Sequence, residues 1–540
     1  MLRHILFLNA LCVFFAACVN IVVPGPKFPP TKGEIWPRPH EQTKSDTYFK
    51  FVPASFTITE KGETCDILKA AIARYTNVLK NTYLIADKHS KKLRNTNNPN
   101  DITDVNYKGT LQELQIKLNA SCEVYPQLDM DEKYNLDVAT VSILNSDSIW
   151  GVLRGLETFA QLFYMSDGYE NVFIKATHIV DYPKYTHRGL LIDTSRHYLS
   201  VSTILKTLDA MEMNKMNVLH WHIVDDQSFP YHSDIFPQLS RAAYDPTMIY
   251  TAADINQIVN YARDRGIRVL PEFDVPGHTS SWGIAYPSIL TTCFSFDRSI
   301  GLGPMDPTND LTYRVISDLF REVQGRFPDK YLHVGGDEVE LDCWSSNALI
   351  TKFMAEQNMT HTSELHSFFM SKVIPLLGDR SKPIVWQEVF DEGVNLPSGT
   401  IVQVWKNIEA WEMKNILVAG HKVIYSASWY LDHIGGGGDW EKYYQIDPRE
   451  IVTGFVPESK ETDILGGEAC MWGEVVDDTN HISRVWPRAG AVAEALWSGF
   501  NYMGRYHKYD VACRLEEQVC RMNRRDIRAQ PPNGPGFCIT

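Results

Sequence analysis

The sequence predicts an α/β protein, a (β/α)8 (TIM) barrel preceded by a small α+β domain, and three observations carry that prediction. Short, almost continuous apolar runs recur through the last two thirds of the chain, the way strands buried on both faces of a parallel sheet read. They are GLLID, NVLHWHIV, GIRVLPEF, KYLHVGG, KPIVWQEV, TIVQVW, KVIYSASW and DILGGEACMW. Helical periodicity separates several of them, and no GxGxxG or Walker A loop accompanies them, which sets the open, doubly wound sheet aside. Eight βα units in about 350 residues fit a closed barrel.

In chain order, Arg3 and His4 precede an apolar run from Ile5 to Ala17 that ends in Ala16 and Ala17, the layout of a secretory signal peptide. We read residues 1–18 as that signal, with an uncleaved anchor as the competing reading because Ile21, Val22 and Val23 prolong the run. Residues 24–182 form the α+β domain. Phe51–Thr59, Leu114–Leu118 and Asp137–Leu144 alternate as strands do, and Ile149–Leu162 places Leu153, Leu156, Phe159, Ala160 and Phe163 on one helical face. Lys88–Asp104, rich in Lys and Asn, reads as a solvated loop. The barrel takes residues 183–540, with helices expected at Val201–Met213, Ala253–Arg265 and Leu311–Phe327.

A net charge of −14 over 540 residues excludes the basic stripe that nucleic-acid binding needs and argues against anionic membrane surfaces. No second run long enough for a stable membrane span occurs. Removing the signal takes Cys12 and Cys18 with it and leaves eight cysteines, none at CxxC spacing. In an oxidising compartment the pairs near in sequence are Cys65 with Cys122, Cys293 with Cys343, and Cys520 with Cys538. Cys470, in an apolar run, reads as a buried free thiol, and Cys513 is left over or competes with Cys520. Asn119-Ala-Ser and Asn358-Met-Thr are glycosylation acceptors that agree with a secretory route.

In such a barrel the chemistry sits beyond the C-terminal ends of the strands. Polar or aromatic groups stand there after every run: Arg196, Asp225-Asp226, Asp274 with His278, Asp337-Glu338, Trp386 with Glu388, Trp405, Tyr430 with Asp432, and Trp472 with Glu474. Carboxylates supply general acid and base, flat aromatic walls suit the apolar faces of sugar rings, and no Ser-His or Cys-His nucleophile signal competes. A glycoside hydrolase is therefore the first chemical reading. Its rival is a metal site at His220 and His222, which share a strand face, with Asp225; lacking a clear third ligand, the two His read as structural, and we expect no metal and no cofactor.

The ordered series HRGLLIDTSRHY (His187–Tyr198), HWHIVDDQSFP (His220–Pro230), EFDVPGHT (Glu272–Thr279), HVGGDEV (His333–Val339), VWQEVF (Val385–Phe390), SWYLD (Ser428–Asp432) and GGEACMWGE (Gly466–Glu474) resembles the family 20 glycoside hydrolases, and closely the animal lysosomal β-N-acetylhexosaminidases. The resemblance runs over almost the whole chain, from IWPRP at Ile35–Pro39 onward. It implies substrate-assisted, retaining removal of terminal β-linked N-acetylhexosamine, an exception to the rule of two carboxylates flanking the bond. Adjacent Asp337 and Glu338 fit that exception, because neighbours on a strand point to opposite sides. By resemblance Glu338 is the general acid and base, Asp337 holds the acetamido N–H, and Tyr430 donates to the acetamido oxygen. Trp386, Trp405 and Trp472 wall the sugar pocket; Arg196, Asp432 and Glu474 grip hydroxyls; Asp225 and His278 orient and tune Glu338. The resemblance further implies a dimer in the lysosome or outside the cell. Asp432-His433 stands where the animal α-type subunit carries Asn-Arg, which points to preference for a neutral 6-hydroxyl over a 6-sulfate, although a protonated His433 works against it. The competing functional reading is a non-catalytic N-acetylhexosamine-binding protein on the same barrel. A chitinase-like barrel is set aside because its DxxDxDxE signature is absent.

Overall fold

A computed structural model describes residues 28–29, 31–93, 104–296, 298–406, 409–433, 438–499 and 507–540. The expected signal segment, with Cys12 and Cys18, lies outside the described residues.

The eight apolar runs become eight parallel strands that close into a barrel. We label them β1 (His187–Asp193), β2 (Val218–Val224), β3 (Arg268–Phe273), β4 (Tyr331–His333), β5 (Lys382–Trp386), β6 (Ile401–Val404), β7 (Lys422–Tyr425) and β8 (Ile464–Met471), and β8 pairs with β1 to complete the ring. Outward residues such as Leu190, Ile192 and Val269 join the helices in the largest core. Inside, Val218, Leu270, Tyr331, Ile384, Ile401, Ile424 and Leu465 form an apolar floor with Leu128 of the preceding domain. Two residues further along β2, β3, β4 and β6, on the same face, the lining turns polar at His220, Glu272, His333 and Gln403, and Glu468 of β8 is buried with them.

The helices come close to their expected bounds, at Val201–Met213, Ala252–Arg263 and Asp310–Arg326. Each start is capped: Ser200 accepts from Thr203 N, Thr251 and Asp254 form a reciprocal box, and Asn309 accepts from Leu311 N. After β5 the chain gives only the five-residue helix Gln387–Asp391. That short turn brings Gln387 and Glu388 directly onto the end of β6.

The first domain is an eight-stranded mixed sheet with the helices Asp66–Leu93 and Ile149–Gln161. Several expectations are corrected here. Phe51–Thr59 is not one strand, because Pro53 opens a short turn between Glu41–Phe51 and Thr57–Gly62. Asp137–Leu144 is a tight hairpin, with Tyr134–Val138 antiparallel to Val141–Ser146. Lys88–Leu93 belongs to the long helix, so the loop starts later than composition indicates. Every residue of Ile149–Gln161 is buried, because its apolar face meets the sheet while Arg154 donates to the carbonyls of Arg265 and Gly266 in the barrel.

Sulfurs lie at bonding distance in Cys65–Cys122, Cys293–Cys343 and Cys520–Cys538, and Cys470 and Cys513 are free and buried. Asn119 and Asn358 are both exposed. Among the described residues no helix is long and apolar enough to cross a membrane.

Candidate active site

The loop after β1 is folded around Asp193, whose Oδ1 accepts the N–H groups of Ser195 and Arg196 and whose Oδ2 accepts Gly473 N–H at 3.0 Å. Arg196 then reaches Asp193 Oδ2 and Asp225 Oδ2, each at 2.9 Å, stands 3.8 Å from Glu474 Oε1, and lies over the Trp472 ring. Its Nε is buried without a partner, so the guanidinium keeps a donor in reserve. Glu474 itself is 57 % exposed at its side chain, at the mouth of the site.

Asp225, beyond β2, is buried and accepts from His222 Nε2 at 2.9 Å and His278 Nδ1 at 3.1 Å. Burial alone raises a carboxyl, yet these two rings hold Asp225 well below the usual range. Burial works against a charge on His278 too, but the Asp225 hydrogen bond and the nearby Asp337 outweigh it and raise the imidazole to about 9. His278 therefore presents a cationic Nε2, 3.7 Å from both Asp337 Oδ2 and Glu338 Oε2.

The strand-alternation argument for Asp337 and Glu338 is corrected. β4 ends at His333, and the two acids ride on the loop Val334–Glu340, where Gly335, Gly336 and Glu338 all have positive φ. The left-handed Glu338 (φ 48°) swings its side chain outward, 58 % exposed, while the Asp337 side chain stays 10 % exposed with Oδ1 buried and unpartnered. One carboxyl faces the opening and its neighbour faces the floor.

The opposite wall is aromatic. Trp386, Trp472, Trp405 and Tyr430 cluster with Leu191 and Cys470, and Trp405 and Tyr430 stack at 6.0 Å. Each indole N–H that points away from the pocket is anchored: Trp386 to Glu272 Oε1 at 2.8 Å, Trp405 to Glu388 Oε2 at 2.9 Å. Burial and the facing Asp337 raise Glu388, opposed by Lys406 and the Trp405 N–H. Burial keeps the Tyr430 hydroxyl well above its ordinary value, so it is a donor at every working pH. Asp432 carries a buried, unpartnered Oδ1 and is raised by burial, and His433 Nε2 lies 4.0 Å from its Oδ2.

Below the pocket, carboxylates and histidines alternate through the barrel interior. His187 Nε2 meets Glu468 Oε1 at 2.6 Å, His220 lies between Glu468 and Glu272, and His222 links Glu272 to Asp225. His220 and His222, the metal candidates of the sequence, both pair with carboxylates, and one ligand atom each of His220, Glu272 and His333 lie within 4.8 Å of one another. Asp193, Glu272 and Glu468 went unmarked in the sequence because they sit within apolar strand runs; the available signal was a charged residue on the inward face of a buried strand.

Against known proteins, residues 185–500 match the family described as "Glycosyl hydrolase family 20, catalytic domain", and residues 35–162 match "beta-acetyl hexosaminidase like". The chain belongs to glycosyl hydrolase family 20 and is a glycoside hydrolase. It is 43 % identical over 518 residues to the human beta-hexosaminidase subunit beta, covering 93 % of this chain and 89 % of that one. It is 46 % identical over 432 residues to the mouse subunit alpha, covering 78 % and 80 %. Among solved structures, a Flavobacterium johnsoniae chitobiase superposes with a TM-score of 0.77 at 28 % identity, over 92 % of this chain and 74 % of that one.

Proposed function

We propose that this glycoside hydrolase releases terminal, non-reducing β-linked N-acetylglucosamine and N-acetylgalactosamine, with retention, using the substrate's own acetamido oxygen as nucleophile. The observation that carries the reading is the pair Asp337 and Glu338, adjacent in sequence yet divided between floor and opening. Placed that way, they serve two ends of one sugar and not two faces of one bond. Glu338 protonates the departing glycosidic oxygen while the acetamido oxygen closes on the anomeric carbon and the glycosidic bond breaks. Water then attacks that carbon, its proton returns to Glu338, and the acetamido group reopens. Asp337 accepts the acetamido N–H and stabilises the charge that develops on it, and Tyr430 donates to the acetamido oxygen. Trp386, Trp405 and Trp472 enclose the methyl group and ring, Arg196, Asp432 and Glu474 bind hydroxyls, and Asp225 holds His278 against Glu338.

The domain division is 24–182 and 183–540, with the first domain bracing the barrel. We propose further that the protein assembles as a homodimer and resides in the lysosome or outside the cell after passage through the secretory pathway; that the animal relatives are named as subunits supports assembly. Glycosylation at Asn119 and Asn358 fits that route.

The test compares aryl β-glycosides that differ only at carbon 2. The 2-acetamido substrate is hydrolysed, and the 2-hydroxy analogue loses the internal nucleophile together with its effective molarity of about 10⁵ M or more. Comparable rates on both would remove the acetamido group from the mechanism.

A further inference from the structure

Two buried oxygens at the floor of the site have no hydrogen-bond partner, Asp274 Oδ2 and Asp337 Oδ1. Their carboxyl groups are neighbours: one oxygen from each, with a ring nitrogen of His278, fall within 4.8 Å of one another. Asp274 cannot turn away. It is 1 % exposed just past β3, its Oδ1 accepts Gly336 N–H at 2.8 Å, and it fills the space a Gly335 side chain would take, 1.7 Å from the position of a Cβ there.

Two ionised carboxylates at that range, shut away from water, would repel and leave both oxygens unsatisfied. One proton between them satisfies both. The surroundings decide where it resides. Asp337 has the cationic His278 Nε2 at 3.7 Å from its Oδ2, and Glu388 faces it from the end of β5. Asp274 faces Asp337 from the β4 loop and Glu272 on its own strand, both negative, and burial with these neighbours raises it well above the carboxylate range.

We infer that Asp274 is a positioning residue that remains neutral and donates its Oδ2–H to Asp337 Oδ1, so that Asp337 stands as an aligned anion for the acetamido N–H. The inference rests on the role proposed for Asp337. It makes the loop Gly335-Gly336-Asp337 and the end of β3 one unit, joined by a backbone N–H donated one way and a carboxyl O–H the other.

Asparagine copies the protonated shape of Asp274: its oxygen still accepts Gly336 N–H and its Nδ2 still donates to Asp337. Asp274→Asn therefore retains at least about tenfold more kcat than Asp274→Ala, the worth of one hydrogen bond to a charged group. Equal loss in the two variants overturns the proposal. Infrared difference spectra of wild type minus Asp274→Asn at neutral pH supply a readout independent of turnover, and of whether the alanine variant folds. A protonated-carboxyl carbonyl band present only in the wild type is expected; carboxylate bands in its place overturn the proposal. If the wild-type band is present while Asp337→Asn hydrolyses normally, the acetamido role of Asp337 fails and the shared proton stands.

Discussion

At the scale of the residue, the site depends on environment more than on identity. Asp337 and Glu338 differ by one methylene and one position, yet one is buried beside a cationic imidazole and the other stands at the opening. On the role proposed for Asp337, stabilising charge that develops in the reaction, Asp337→Asn should lower kcat by about 10²-fold or more and change KM far less. Steady-state kinetics on an aryl N-acetyl-β-glucosaminide checks this, and a rise in KM at constant kcat would reduce Asp337 to a binding group. The residues beyond the strand ends were readable in the sequence because barrel topology says where to look. The backbone of Glu338 was not: a left-handed φ in a Gly-Gly loop is a tertiary property, and the alternation rule applied to it assumed a strand that stops at His333. Interior acids such as Glu272 and Glu468 were hidden for a related reason, since their partners His187, His220 and His222 lie on other strands.

At the scale of the element, the β3 and β4 ends are locked together by the absence of a side chain at Gly335. Its φ is +66° and a Cβ would collide with Asp274, so Gly335→Ala adds backbone strain of about 1–3 kcal/mol and pushes Asp274 off Gly336 N–H. A lowered denaturation midpoint together with loss of kcat is expected. Wild-type values for both would show that the loop has room.

The alternating His and carboxylate groups of β1, β2, β3 and β8 also make stability depend on pH. His220 is raised to about 9, because Glu468 and Glu272 outweigh the burial that opposes its charge. A raised imidazole contributes stability that is full below its ordinary value of 6.5 and is lost as pH climbs through about 9. Glu468 is shifted down by His220 and His187 against its burial, so its share is full above 4.5 and is lost only in strong acid. The thermal midpoint should therefore be highest between these ordinary values and fall toward pH 9, as calorimetry across the range can show; a midpoint that rises from neutral pH to pH 9 contradicts the assignment.

The strands and main helices of the barrel were legible because doubly buried strands read as apolar runs. The strand Glu41–Phe51 was not, since only two of its eleven residues are buried and its composition is polar. The short helix after β5 escaped notice because a barrel is expected to place a full helix there.

At the scale of the molecule, a braced barrel opens at one end onto a pocket with an aromatic wall, a buried acid and an exposed one. On the proposal that Asp432 binds a sugar hydroxyl, its carboxyl, with His433 Nε2 4.0 Å from Oδ2, would set a selectivity for the carbon-6 substituent that changes with pH. Raising pH through the acid range ionises Asp432, which burial holds up. That charge disfavours an anionic substituent. Unsulfated over 6-sulfated aryl N-acetylglucosaminides should be preferred by about tenfold or more at the upper end of the acid range, with the gap narrowing as pH falls. Equal efficiency at all pH values would contradict this.

The central claim is that Glu338 moves the proton in a glycoside hydrolase acting on N-acetylhexosaminides. The most direct measurement follows hydrolysis of aryl N-acetyl-β-glucosaminide and its galacto isomer from about pH 3 to pH 8 by the wild type and by Glu338→Gln. The account predicts turnover with an acidic optimum that falls by about 10²–10⁴-fold in the folded variant. Undiminished turnover in Glu338→Gln, or a folded wild type that binds these sugars without cleaving them, would contradict it.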